Sequence, residues 1–549
     1  MGTAGAPPSA RFLAAHGLAA VAVLLAVTGY VGLGGYFFID EAAVHAQLDV
    51  LEKGSWTVPR PFPAEDPAGG MVAMANSAVV GDQYAPFAKH PVHVLALRGA
   101  DVVGGRFGVR LLSVLGTAAA ALAAAVLAGT SRRRAALALW VTAAASPLLF
   151  DSQLVVAHAL AAGVAGWLAV TVLAARPATW SVVGAAALAA LGGLLRNEMV
   201  IYSGVLAAVV VVASFRARPW GRIGVAAACA MGGLTAYLAE PTIVRWALAT
   251  DTGGGVAVRP GTELQALLRA ARTTTVGFGD VSTATAALGL VLVPFFLVLL
   301  AWRVSASEGD HLIVAALAAG AVGSAVLFAS DPFLVPGLLW AFPLIAYLVL
   351  LLSPRWRGSQ ALVPLVVFLA FGAAVAASQY EQGGGHEWGW RYVAVGMPLL
   401  CATLAGVLDS LLGSGRTARL AAVAGLGSAV IVAAGGVLVL GRDVATTREF
   451  LERATDASER ADADWVVSLD PSFGRFAYPV SLEGRTVTAQ PATAGRALRL
   501  VAADDASRVL LVWRNGSEPP VADLGPYGET DVRFELGGEY RAVVLERPR

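Results

Sequence analysis

The sequence predicts a polytopic α-helical membrane protein of roughly 11 to 13 transmembrane helices, with a small C-terminal soluble domain of α+β or β-rich character. Three observations predict it. Only 14% of the 549 residues are charged and 57% are hydrophobic, with a mean hydropathy of +0.68, whereas a soluble globular chain carries about 25% charged residues. Apolar runs close to the ~20 residues that cross a bilayer recur from Phe12 to Leu440. From Gly441 onward the chain changes character, with 14 basic and 18 acidic residues, net −4, against +5 on the remainder. Two domains are therefore expected, residues 1–440 in the membrane and residues 441–549 outside it.

The candidate spans are 12–38, 107–129, 135–150, 154–175, 181–195, 199–215, 222–240, 284–302, 311–330, 332–352, 361–378, 393–413 and 419–440. The first is too long for the apolar core of a cleaved signal peptide and reads as a retained anchor. The stretches 135–150 and 181–195 are short for a span, which sets the lower count. Thirteen spans with the N-terminus in the cytoplasm put arginine in every inner connection: Arg132 to Arg134, Arg176, Arg216 to Arg222, Arg303, Arg355 to Arg357 and Arg416 to Arg419. The positive-inside bias requires that pattern, and the odd count places the tail outside. Only two of the 39 basic residues are lysines, and the usage of Ala, Gly and Val is heavy. This composition suggests a GC-rich bacterial genome, hence a multi-pass protein of the bacterial plasma membrane.

Unusual polar residues collect on the outer face. They fall in the loop 39–106, at Asp151, in Arg196-Asn197-Glu198, in the loop 240–283, at Asp331 and in Gln379 to Tyr392. The most informative pair is Asp40-Glu41, because acids are costly at a membrane boundary and tend to mark a site. They open an apolar stripe (Ala42, Ala43, Ala46, Val50, Leu51) that predicts an amphipathic helix on the membrane surface. The competing reading makes Asp40 a plain N-cap. Further along the loop, Lys89-His90-Pro91 offers one of the two lysines as an anion ligand.

Arg98, Arg106, Arg110, Arg196 and Arg391 all lie at outer ends of spans, against the positive-inside tendency. Each alone could snorkel to a lipid headgroup; together with Lys89 they suggest a phosphate pocket, since the guanidinium fork matches phosphate geometry. Trp388 and Trp390 fit either an interfacial belt or a sugar-stacking surface. Asp151, His158, Glu198, His386, Glu387 and Tyr392 are candidate substrate contacts. The acids and histidines have no metal-ligand spacing such as HExxH. Cys229 and Cys401 lie in apolar runs and imply no disulfide framework. The tail should begin with a helix over 442–461. Strands are expected at 465–469, 485–489, 497–502, 509–513, 532–536 and 540–545, between Gly, Pro, Asp and Asn turns.

At these residues the chain resembles the GT-C glycosyltransferases. The apolar first span running into Asp40-Glu41 is similar to the family's signature acid in its first extracytoplasmic loop. Lys89-His90-Pro91 resembles the Lys-x-Pro of the protein mannosyltransferase and aminoarabinose transferase branch, and Trp388-Gly389-Trp390-Arg391-Tyr392 a WG-x-R-Y element. The resemblance covers residues 12–440. It implies an inverting transferase moving a pentose or hexose, arabinose or mannose foremost, from a polyprenyl-phosphate donor to a cell-envelope glycan or lipid on the extracytoplasmic side. It makes Asp40 the general base, Glu41 its helper, and Lys89, Arg196 and Arg391 the donor-phosphate ligands. His90, Asp151, His158, Glu198, His386, Glu387, Trp388, Trp390 and Tyr392 would line the substrate site. No cofactor is required, a divalent metal is optional, and membrane lipids rather than nucleic acid are the surroundings. A transporter or flippase, the first alternative, predicts ionisable residues near mid-membrane; here the spans are Ala/Val/Leu with charge at their ends. The second alternative is a non-catalytic envelope scaffold.

Overall fold

The computed structural model describes residues 7–74, 77–174, 178–214, 220–248, 277–278, 335–352, 362–378, 389, 391–483, 485–516 and 523–548. The expected spans 284–302 and 311–330 lie outside them. The chain forms two compact units. The first holds Met1–Tyr30, Phe107–Glu240 and Val256–Leu440; the second holds Val31–Arg106, Pro241–Gly255 and Gly441–Arg549.

The first unit is helical. Its described elements are α1 (Ala10–Val31), the C-terminal part of α3 (Pro91–Ala128), α4 (Arg132–Ala144), α5 (Leu148–Asp151), α6 (His158–Leu173), α7 (Thr179–Leu195), α8 (Glu198–Ser214) and most of α9 (Trp220–Leu248). After the two-residue strands β4 (Gly277–Phe278) and β5 (Val335–Pro336) come α10 (Leu338–Ala341), α11 (Leu362–Ser378), α12 (Met397–Leu412) and the first part of α13 (Arg416–Ala461). Among the described residues, α1, α3, α9, α13 and the stretch Arg391–Leu412 are long and apolar enough to cross a membrane, and α6, α7, α8 and α11 are shorter apolar helices. The protein is therefore a multi-pass membrane protein. The core joins Tyr202, Leu206, Phe371, Val393, Leu400 and Leu404, with the Tyr202 and Phe371 rings edge to face at 5.4 Å. In lipid such interiors rest on close packing rather than water exclusion.

Three segments depart from the expected spans, each for a backbone reason. α1 stops at Val31, and Gly32 to Phe38 run irregularly to the next helix; Gly32, at φ 85°, takes the left-handed conformation glycine tolerates. α3 begins sixteen residues before the expected start at 107, and breaks at Gly105, at φ 57°. Residues 335–352 are a strand, one helical turn and a 3-10 helix (Pro343–Leu352) rather than a regular span. Pro336 and Pro343 cannot donate the backbone bonds an α-helix would need there.

The second unit is mixed. It contains α2 (Ile39–Glu52), a small antiparallel sheet of β1 (Val58–Pro59), β3 (Gln83–Ala85) and β2 (Ala78–Val80), and the tail. The tail has β6 (Trp465–Ser468), α14 (Phe473–Phe476), α15 (Tyr478–Glu483), β7 (Thr486–Thr488), α16 (Ala494–Ala503), β8 (Arg508–Arg514), β9 (Gly528–Leu536) and β10 (Tyr540–Glu546). The strand order is β7-β6-β8-β10-β9, with β6 parallel to β7 and β8, and β10 antiparallel to β8 and β9. Central strands are buried on both faces, which is why they read as continuous apolar runs. One face (Val467, Leu511, Val543) packs on Leu498 and Val501 of α16; the other (Val466, Leu510, Val544) packs on Phe450, Ala454 and Ala457 of α13. The edge strand β9 is blunted by Glu529, Asp531, Arg533 and Glu535.

The segment 497–502, expected as a strand, lies in α16. Ala494, Ala497, Leu498 and Val501 recur at helical spacing and are buried, while Arg496 and Arg499 point outward; the 3.6-residue period prevails over a short apolar run. α2 also departs from the surface helix expected. Nine of its fourteen residues are buried, including Glu41, His45 and Gln47, so protein rather than lipid surrounds it.

Candidate active site

Asp40 stands in the first turn of α2. The N-cap is Phe38 and makes no side-chain cap, so Asp40 is not the cap the simpler reading supposed. Its Oδ1 accepts a hydrogen bond from Nη1 of Arg475 at 3.2 Å. The Arg475 side chain is 2% exposed and that of Asp40 21%. Burial lowers the guanidinium pKa, and Asp40 raises it again. Glu41 is fully buried, and its carboxylate accepts the Phe37 backbone N–H at 2.8 Å, which anchors the entry to α2.

Other contacts hold this helix within its unit. Gln47 donates to the Trp56 carbonyl at 2.9 Å and accepts the Phe87 N–H at 3.1 Å, tying α2 to the segment that leads into Lys89. Lys89 is exposed, and His90 adopts φ 51°, a strained conformation for a non-glycine residue. The His90 carbonyl receives the first turns of α3, with Pro91 at its start. Nearby, the rings of His45 and Tyr478 stack at 6.2 Å, and Arg106 donates to the Tyr478 hydroxyl at 3.1 Å. Asp49, half-buried on α2, has its carboxyl pushed by desolvation up to about 6, with Arg106 pulling the other way.

The remaining described candidates belong to the first unit. Arg196 and Glu198 form a two-pronged pair, Nε to Oε2 at 3.0 Å and Nη2 to Oε1 at 2.6 Å. The Tyr392 ring has the Arg391 guanidinium 5.0 Å and the Arg196 guanidinium 5.9 Å from its centre, a cation–π arrangement. Asp151 lies in α5, on the connection between α4 and α6. It is completely buried, and neither carboxylate oxygen has a hydrogen-bond partner among the described residues. Desolvation pushes its carboxyl up to about 8, against the pull of Arg391 and Arg196. Gly389 helps place these groups: at φ 73°, its missing Cβ would fall 2.5 Å from the Pro147 side chain, just ahead of α5. His158 is buried at the start of α6. His386, Glu387, Trp388 and Trp390 lie outside the described residues.

Of the other outer arginines, Arg98 pairs with Asp101 at 2.6 Å, and Arg110 is buried. Sequence reasoning missed Arg475. Its one local signal is a lone cation inside the aromatic run Phe473-Gly474-Arg475-Phe476-Ala477-Tyr478. No group of three or more His, Cys, Asp or Glu among the described residues could hold a metal ion.

The chain is similar in structure to ArnT from Cupriavidus metallidurans, crystallised bound to undecaprenyl phosphate. The TM-score is 0.51 at 12% identity, and the match covers 96% of this chain and 97% of that one. The chain has a GT-C fold. The oligosaccharyltransferase of Archaeoglobus fulgidus, crystallised with a tethered acceptor peptide, is also similar at TM-score 0.47 and 12% identity, over 90% of this chain and 68% of that one. No family model matches the sequence, and no curated protein matches it. In this GT-C fold, the first unit holds the apolar helices with Asp151, Arg196 and Arg391, and the second holds the paired Asp40 with Lys89.

Proposed function

We propose that this protein is an inverting glycosyltransferase that moves a sugar from a polyprenyl-phosphate donor to a cell-envelope glycan or lipid on the extracytoplasmic side. The observation that carries the reading is a partly exposed carboxylate, Asp40, at the head of the first-loop helix in a GT-C fold, held by a buried guanidinium. The acceptor hydroxyl attacks the anomeric carbon and Asp40 takes its proton. The bond from that carbon to the phosphate oxygen breaks, and the polyprenyl phosphate leaves with the electron pair, inverting the configuration. A positioned base contributes about 10²- to 10⁴-fold to such a step. Arg196 and Arg391 are the donor-phosphate ligands, offsetting charge on the leaving group. The leaving group needs no nucleotide, and a pentose or hexose such as arabinose or mannose is the transferred sugar. That ArnT was crystallised with undecaprenyl phosphate supports a lipid phosphate as the ligand class here.

The test uses purified full-length protein with labelled polyprenyl-phosphate sugars and glycan acceptors. Wild type transfers label, and Asp40→Asn loses transfer while remaining a folded membrane protein. An Asp40→Asn enzyme with wild-type turnover removes the base assignment.

A further inference from the structure

We propose that Arg475, in the C-terminal region, is the positioning residue for Asp40, so that the tail completes the catalytic centre. This rests on the reading of Asp40 as the base. The two residues are 435 positions apart. A guanidinium at 2% exposure is costly to bury without an anion, and Asp40 supplies the anion. The buried Nε of Arg475 has no hydrogen-bond partner among the described residues, so the ion pair with Asp40 carries the compensation.

The neighbourhood is built to hold that guanidinium in place. On one side, Phe473 packs edge-on against Phe450 at 6.1 Å and Tyr540 at 5.5 Å. On the other, Phe476 accepts the Tyr36 hydroxyl through its carbonyl, and Tyr478 stacks on His45 of α2. Between these anchors Gly474 lies so close to the first loop that a Cβ would sit 1.7 Å from the Ala73 carbonyl oxygen. The loop also accepts bonds from the tail's edge strand: the Thr488 N–H donates to the Met71 carbonyl at 3.1 Å and its hydroxyl to Ala73 at 3.2 Å. The tail thus aims one cation at one carboxylate, fixing its rotamer.

The experiment measures kcat and KM per folded molecule for wild type, Asp40→Asn, Arg475→Lys, Arg475→Ala and the double variant Asp40→Asn/Arg475→Ala, with folding followed by size exclusion and thermal melting. Arg475→Ala lowers kcat by at least tenfold with donor KM little changed, Arg475→Lys keeps part of the rate, and millimolar guanidinium restores part of it to Arg475→Ala. In the Asp40→Asn background, Arg475→Ala costs nothing further, because the arginine acts through the acid. If Arg475→Ala fails to fold, the Lys variant decides: turnover equal to wild type overturns the inference. So does a folded Arg475→Ala at wild-type kcat, or one that guanidinium leaves unmoved. An active Asp40→Asn, by contrast, overturns the base reading itself. An inactive Asp40→Asn beside a fully active Arg475→Ala overturns the positioning role alone.

Discussion

The two acid–arginine clusters of this molecule are opposites. In the second unit Asp40 is partly exposed and directly bonded by an arginine that has no access to water. In the first unit Asp151 has no access to water and no hydrogen bond to either oxygen among the described residues, and the arginines beside it are engaged with Glu198 and Tyr392. The first arrangement sets a partly exposed carboxylate against a buried cation. The second keeps a carboxyl protonated up to about pH 8, so Arg196 and Arg391 together exceed the charge of Glu198 by one. A cluster left cationic by a neutralised acid suits an anionic ligand; a charged acid on a cationic clamp suits a base. Burial, not residue type, separates the roles.

The contrast is broken most directly by removing each charge in turn. Asp40→Asn is expected to lower kcat by about 10²- to 10⁴-fold, whereas Asp151→Asn, which mimics the protonated acid, retains most of its turnover at pH 7; equal losses in a transfer assay would erase the distinction. Next in size, Arg391→Met or Arg196→Met is expected to raise donor KM about tenfold, a charge-assisted hydrogen bond being worth about 1.5–3 kcal/mol. Titrating donor against each variant checks this, and an effect confined to kcat would argue against phosphate binding.

A smaller effect is a pH dependence. As pH rises through about 8, Asp151 ionises and the net charge of Arg196, Arg391, Glu198 and Asp151 falls from +1 to zero. Donor KM should then climb several-fold between pH 7 and 9 in wild type and stay flat in Asp151→Asn. A climb of equal size in the variant would assign the titration elsewhere. The smallest concerns stability. The Asp49 carboxyl is raised in the folded protein to about 6. The folded state therefore binds more protons than the unfolded one between about pH 4 and 6, and stability falls as pH rises across that window. Asp49→Asn should stabilise the protein by about 1 kcal/mol at pH 7, after allowance for solvent screening, and by nothing below pH 4. Melting curves in detergent at the two pH values measure it.

Much of this architecture was legible along the chain. Charge depletion and apolar run length located the helices from 158 to 173, 198 to 214 and 397 to 412 closely. Three tail strands, β6, β8 and β10, stood out as apolar runs, because burial on both faces leaves little polar alternation to blur them. Misreadings arose where two local signals competed. Residues 497–502 look equally apolar as strand or helix, and the outcome depends on which face the sheet covers. The stripe on α2 looked lipid-facing because an apolar surface carries no label for what buries it.

What the sequence determined by itself is the pattern of hydropathy: where apolar helices lie, where the composition turns polar, and that an acid pair follows the first apolar run. These follow from local composition, which each segment carries whatever the rest of the chain does. Tertiary structure alone decided that Asp40 is clasped by Arg475 and that Asp151 is sealed from water near two arginines. Both depend on residues hundreds of positions apart or on burial by several helices at once, and a charge leaves no mark in its own neighbourhood of the partner it will meet across the fold.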